Sequence, residues 1–269
     1  MWFSEQVRPG IWVGFTDTTA GNLAFHVGDD AQDVAGRRAD VETRLARQSL
    51  SAAAPSPVLA YMNQVHGADV AVIAADGTAA TGASAPTVDA MVMCPDGEPT
   101  GLAVMVADCV PVVLVGETSS GSTVIGVAHA GRPGVEKDVI GAVVAQMHRS
   151  GAVSLEAWLG PSVCGKCYEV PEAMRTAVAA VAPASHSITT WGTPALDLPA
   201  AVVEQLTSNG VTAHASGICT LEDSRYFSHR RSQRDGEAEG RFIGFVAAMP
   251  GSNLTGTNNV QTNESNLTQ

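Results

Sequence analysis

GLAVMVADCVPVVLVGETSSGSTVIGVAHA (residues 101–130) decides the fold class. It reads as three β-strands, GLAVMVAD (101–108), VPVVLVG (110–116) and TVIGVAHA (123–130), rich in Val and bounded by Asp, Pro and Gly. A fourth run, VDAMVMC (88–94), precedes them. Strands that follow one another without helices between them argue for antiparallel or mixed sheets rather than a simple Rossmann winding. Upstream, IWVGFT (11–16), PVLAYM (57–62) and DVAVIAA (69–75) read as further strands.

Helical patterns flank these runs. One starts after Asp29–Asp30 and runs to about Ser49, with Val34, Val41 and Leu45 on one face and Arg37, Arg38, Arg44 and Arg47 on a wet one. A second, roughly 134–148, carries Val135, Val139, Val143 and Met147 on one stripe. Two more are expected near 171–182 and 197–209, the latter with Asp197 as N-cap and Pro199 in its first turn. The predicted architecture is α/β: a single domain over 1–249 with helices flanking mixed sheet. From Pro250 the chain turns polar, and 250–269 is expected to be a disordered tail; its Asn-x-Ser/Thr matches at Asn253, Asn263 and Asn266 are given no role.

Composition narrows the function classes. With 45% hydrophobic and 16% charged residues, the 269-residue chain can bury a sizeable core. Fifteen Lys and Arg stand against 27 Asp and Glu, a formal charge of −12. That balance repels a phosphate backbone, so no nucleic-acid partner is expected, although a local basic pocket for one small anion is compatible with it. The most apolar stretch, 101–116, is interrupted by Asp108 and Pro111 and falls short of the roughly 18 residues that a membrane span requires. MWFSEQVRPG at the start does not read as a secretory signal. Five cysteines are an odd, sparse set, unlike a disulfide scaffold, and a reduced, cytoplasmic protein is the expectation.

Two segments place reactive side chains at strand ends, where a rigid element aims them into a crevice, and a third places one in a turn between two β-like runs. In VADCVP (106–111) a strand ends in Asp108 and Cys109, and Pro111 is expected to prevent normal ladder pairing. In VAHAGRPGVEKD (127–138) a strand ends at His129 and a Gly-rich turn opens a helix. In MNQVHGADV (62–70) His66 sits in a turn beside Asn63 and Gln64. Two imidazoles and a thiolate make a zinc set with a fourth position open, but spacings of 43 and 20 residues leave the geometry to the fold. The plain alternatives are a small buried Cys109 and a satisfied core His129. HAGRPG (129–134) would also suit an anion, with Arg132 adding a charge, or be a tight turn with a surface arginine. Cys164 and Cys167 form a CGKC step; a redox pair or half a zinc site would use it, but no second step of matching spacing accompanies it. Cys94 and Cys219 read as structural.

NLAFHVGDD, NQVHGADV, VADCVPVVL, GVAHAGRPG, GPSVCGKCYEVP and SHRRSQ…GRFIGFV, taken together and in this order over about residues 10–247, resemble the laccase-domain (YfiH-like) family. The resemblance implies a mixed α/β sandwich and a metal site of His66, Cys109 and His129, through which these three would act catalytically. It also implies a zinc-dependent purine nucleoside phosphorylase acting on adenosine, inosine and methylthioadenosine, with adenosine deaminase activity. Substrate contacts are expected from His26, Arg132 and Arg230. Relatives commonly read HAGWRG where this chain has HAGRPG, so the arginine is displaced by one position and the tryptophan is absent. Seven histidines, no two separated by one residue, do not supply the larger ligand set of a multicopper oxidase. The thiolate–imidazole set accepts copper as well as zinc, and trace copper would account for weak phenol oxidation. Two alternatives stay open. One is a cysteine hydrolase or deamidase with Cys109 as nucleophile and His129 as base, in keeping with the sandwich's likeness to glutamine-deamidating toxins. The other is a non-enzymatic zinc protein acting through a partner in cell-wall or division control.

Overall fold

The computed structural model describes residues 3–47, 55–75, 84–96 and 98–249. The strands are β1 (Phe3–Arg8), β2 (Ile11–Phe15), β3 (Val58–Ala60), β4 (Val70–Ile73), β5 (Ala90–Met93), β6 (Thr100–Val106), β7 (Val110–Thr118), β8 (Thr123–Ala130), β9 (Ala152–Leu159), β10 (His186–Ile188), β11 (Pro194–Leu196), β12 (Thr212–Ala215) and β13 (Phe242–Ala248). The helices are α1 (Ala31–Ala46), α2 (Arg132–Glu136), α3 (Val139–Arg149), α4 (Glu172–Val181), α5 (Leu198–Ser208) and α6 (His229–Asp235).

Two mixed sheets form the centre. One has five strands in the order β1-β2-β13-β6-β3, antiparallel except for the parallel β6–β3 edge; the other has six, β12-β9-β7-β8-β5-β4, with parallel pairs at both edges. Alternation along the strands assigns the layers. Val113 and Val115 of β7 pack with Val104 and Val106 of β6 and Phe242 and Val246 of β13, the core between the sheets. Val112 and Leu114 face the other way and meet Val139, Val143 and Met147 of α3 and Val202 and Leu206 of α5. On the far side of the five-stranded sheet, Val41 and Leu45 of α1 cover Ala103, Ile243 and Phe245. Strands buried on both faces explain why 101–130 reads as a near-continuous apolar run. Each fully buried Val or Leu contributes about 1.5–3 kcal/mol toward holding these layers together.

The expected mixed-sheet α/β architecture is therefore present, with three corrections of detail. The helix expected over 134–148 is two helices, because Asp138 adopts φ 58° and caps α3 by accepting from the Gly141 amide. The apolar stripe hides this break, since Val135 and Val139 are both buried on either side of it. Pro111 does not end the ladder: it is the second residue of β7, opposite His129, and its carbonyl accepts from the Gly160 amide. Strands β1, β10, β11, β12 and β13 and helix α6 add to the predicted elements. The polar segment 250–269 lies outside the described residues. No helix among the described residues is long and apolar enough to cross a membrane.

Candidate metal centre

The register of the six-stranded sheet builds the site. Strand β8 carries His129 near its end, and β7, paired with it, begins one residue after Cys109. His66 lies in the loop between β3 and β4. One ligand atom from each of His66, Cys109 and His129 lies within 4.8 Å of the others. Cys109 Sγ is 3.8 Å from His66 Nε2, and the two imidazole centroids are 4.7 Å apart in an edge-on arrangement. Gly131 makes this approach sterically feasible, because a Cβ there would lie 2.7 Å from His66 Cδ2 and 3.1 Å from Cys109 Sγ.

Asp89, immediately before β5, organises the trio. Its carboxylate accepts the amides of Val65 at 3.2 Å, His66 at 2.9 Å and Gly67 at 2.6 Å. These three successive N–H groups converge on one anion and hold His66 at φ 58°, a conformation sparsely populated outside glycine. Asp89 Oδ1 also lies 2.8 Å from His129 Nδ1, leaving the other ring nitrogen to the site. This is the carboxylate–histidine arrangement that fixes a metal-ligating imidazole. Asp108, at φ 81°, is locked by the Thr220 hydroxyl at 2.6 Å and the Arg230 amide at 2.8 Å, which fixes the turn carrying Cys109. Gln64 pins the His66 loop by pairing both ends of its amide with the backbone of Met105.

The electrostatics favour a thiolate. Burial would raise the Cys109 thiol, but the charge and hydrogen bond of His129, with a further bond from His66, bring it down to about 6. Burial would lower His129, yet Cys109 and Asp89 raise it to about 9. Two imidazoles and a thiolate, with His129 braced by a carboxylate, fit a divalent soft metal and leave one coordination position for water or substrate.

The trio opens into a cavity of about 400 Å³. Met105, Val106, Val163 and Leu198 contribute apolar lining, and Gln64, Tyr168, His26, His229, Arg230 and Arg241 contribute polar or cationic groups. Arg230 stands 4.5 Å over the Tyr168 ring, and Arg241 is tied to Glu239 at 2.9 Å. Burial and the neighbouring Arg241 and Arg38 hold the His26 imidazole below its usual range. His26 and Arg230, both expected as substrate contacts, thus share a cavity with His66, Cys109 and His129. Arg132 is placed otherwise. It forms a two-pronged pair with Glu136, at 3.1 and 3.0 Å, and does not line the cavity, while its turn leads into a five-residue helix. Asp89, Arg241 and His229 are members of the site that the sequence did not single out.

Residues 13–249 match a family model described as multi-copper polyphenol oxidoreductase laccase. A purine nucleoside phosphorylase of Streptomyces griseus is 43% identical over 240 residues, 87% of this chain and 90% of the relative. Another of that name from Streptomyces coelicolor is 44% identical over 249 residues, 88% and 95% of the two chains. Among solved structures, YlmD from Geobacillus stearothermophilus superposes with a TM-score of 0.72 at 27% identity, covering 91% of this chain and 98% of that one. Bacillus licheniformis YfiH, at 21% identity and a TM-score of 0.71, shares the fold. On these matches, the chain belongs to the laccase-like family to which its residues 13–249 align.

Proposed function

We propose that this chain is a zinc-dependent purine nucleoside phosphorylase that accepts adenosine, inosine and methylthioadenosine and also deaminates adenosine. The observation that carries the reading is one cavity holding both a His/Cys/His trio able to hold a metal and a set of cationic side chains, in a chain whose relatives are named purine nucleoside phosphorylases. His66, Cys109 and His129 would hold the metal. Bound there, zinc would supply a Lewis acid that polarises a reactant oxygen.

The chain's own residues divide the remaining work. Arg230 and Arg241, with His26 beside them, offer charge-assisted donors to phosphate. Met105, Val106, Val163 and Leu198 offer an apolar bed for the purine. Phosphorolysis forms a bond between a phosphate oxygen and the ribose C1′ as the C1′–N9 bond breaks and the purine leaves with a proton. Holding the two reactants in one cavity lowers the entropic part of that barrier. Deamination adds water oxygen at C6 of adenine and releases ammonia. The reading takes the chain as cytoplasmic, where its five cysteines would stay reduced. Copper in the same trio would support weak phenol oxidation.

Chromatography of zinc-loaded protein with adenosine, with and without phosphate, tests this. Adenine with ribose 1-phosphate, formed only with phosphate, is the expected product pair, and inosine in both buffers is expected from deamination. Unchanged adenosine in both would sink the reading. A second reading has its own observation: Asp89 is hydrogen-bonded to His129, whose ring lies within 4.8 Å of the Cys109 sulfur, a grouping that suits a cysteine hydrolase. Turnover of an amide substrate that survives complete metal removal would favour it.

A further inference from the structure

Outside the cavity trio, a second cluster brings together Cys164, Cys167, Cys219 and Glu222. Their three sulfurs and one carboxylate oxygen all lie within 4.8 Å of one another. The three cysteines are free thiols, with Cys167 and Cys219 buried. They come from two turns of equal span, Cys164-Gly165-Lys166-Cys167 and Cys219-Thr220-Leu221-Glu222. In each, the amide of the fourth residue donates to the carbonyl of the first, at 3.0 and 3.2 Å. The turns are stitched by a bridge between Ser162 and Cys219, with Ser162 donating to Ile218 and Thr220 donating back to Ser162, both at 3.1 Å.

The donor set is directional as well as close. The Cys164 amide points at Cys219 Sγ at 3.4 Å, the N–H···S contact that steadies a coordinated thiolate. Cys167 Sγ lies 3.3 Å from the Glu222 carboxylate. Gly165 lets the first turn close, because a Cβ there would sit 2.5 Å from Asp197 Cβ, at the start of α5. Val163, Tyr168 and Leu221 pack around the sulfurs and limit access of water.

We propose that Cys164, Cys167, Cys219 and Glu222 form a second metal site, a structural zinc centre that staples the 162–168 turn to the 218–223 turn. Zinc–sulfur bonds of about 2.3 Å in a tetrahedron set sulfurs roughly 3.8 Å apart, so the cluster needs only a small contraction to close. Four protein ligands fill the shell and leave no open position, which makes the centre structural rather than catalytic. Its position gives it a task. Val163 donates to the Asp108 carbonyl at 2.9 Å and Thr220 to the Asp108 carboxylate at 2.6 Å, so both stapled turns brace the residue before Cys109. Tyr168, just past the first turn, lines the cavity. The second metal thereby fixes one wall of the cavity, whichever reaction that cavity performs.

Metal analysis of reduced, full-length protein, loaded with zinc and freed of loose metal, tests the proposal. Wild type is expected to hold about two zinc ions per chain and Cys109→Ser about one. The double variant Cys164→Ser/Cys219→Ser should lose the second ion. Because that variant can fail to fold, cobalt substitution of Cys109→Ser supplies an independent readout: intense thiolate-to-cobalt absorption is expected with Cys109 gone. Cys109→Ser protein without stoichiometric metal or that absorption would overturn the proposal. So would a disulfide between two of the three cysteines in protein purified without oxidant. Neither result depends on whether the chain cleaves nucleosides, so the two readings fail separately.

Discussion

One oxygen of Asp89 is shared between His129 Nδ1, at 2.8 Å, and the backbone amide of His66, at 2.9 Å. A single buried carboxylate therefore sets the orientation of one imidazole and the backbone position of the other. Asp89→Asn keeps the shape but replaces one acceptor oxygen with a donor facing amide N–H groups. Loss of such a brace typically costs about 10–100-fold in metal affinity. Competition between the variant and a zinc chelator should show that loss with the protein still folded. Wild-type affinity in Asp89→Asn would remove Asp89 from this role.

Gly131 separates steric from electronic contributions. Its φ of −76° is open to any residue, so alanine there meets only the space occupied by His66 and Cys109. The added methyl must displace His66, the exposed member of the trio, while leaving the sheets intact. Gly131→Ala should bind metal several-fold more weakly with a near-normal unfolding temperature. Undiminished zinc content in the variant would show that His66 approaches the metal from elsewhere.

Legibility in the sequence followed locality. Cys109 and His129 stood out because each lies at a strand end beside turn-forming residues, and His66 because it sits in a turn between two β-like runs, signals carried by a few neighbours. Asp89 did not, because one acidic residue opening an apolar strand reads as a boundary. Its bond to His129 arises only when β5 and β8 pair in register. Arg132 was prominent for the opposite reason. Its turn suggested an anion contact, while its partner Glu136, four residues on, already occupies the guanidinium. The CGKC step looked unaccompanied because Cys219 and Glu222 are brought to it across α4, the β10–β11 hairpin and α5. The sheet layers were readable because burial on both faces leaves continuous apolar runs. The order of strands was not, since pairing is set by contacts distant in sequence.

Arg230 is a direct probe of the phosphate assignment. Its backbone amide braces Asp108 and would remain in place in Arg230→Gln, while the guanidinium over Tyr168 would be lost. A charge-assisted contact is worth about 1.5–3 kcal/mol, or roughly 10–100-fold. The KM for phosphate should rise by about that factor in Arg230→Gln, with a smaller fall in kcat. An unchanged KM for phosphate would move the anion site to other side chains.

Gly36 tests the helix on the outer layer. It lies inside α1, is exposed, and a Cβ there meets nothing within 4 Å. Gly36→Ala should stabilise the fold by about 0.5–1 kcal/mol, chiefly by restricting the unfolded chain. Urea unfolding would measure it, and a destabilised variant would contradict the open space seen at this position.

The Asp29–Arg37 pair predicts a pH dependence with a definite sign. Arg37 Nη1 lies 2.6 Å from Asp29 Oδ2 and 3.0 Å from the Asn22 carbonyl, tying the segment that carries His26 to α1. The Arg37 hydrogen bond, assisted by Asn22, holds the Asp29 carboxyl down to about 2. In the unfolded chain it titrates near its ordinary value of about 3.9. Above that value both states are ionised, and the pair contributes its full stabilisation. As pH falls, the unfolded state takes up its proton first, so the contribution shrinks and is gone once pH drops below about 2. The stability difference between wild type and Asp29→Asn should therefore be flat from neutral pH to about 5 and then collapse on further acidification. Because the pair is solvent-accessible, high salt should narrow the difference at every pH. A difference that persists to the acid end of the series would mean that Asp29 acts through its contact with Asn22 rather than through the charge of Arg37.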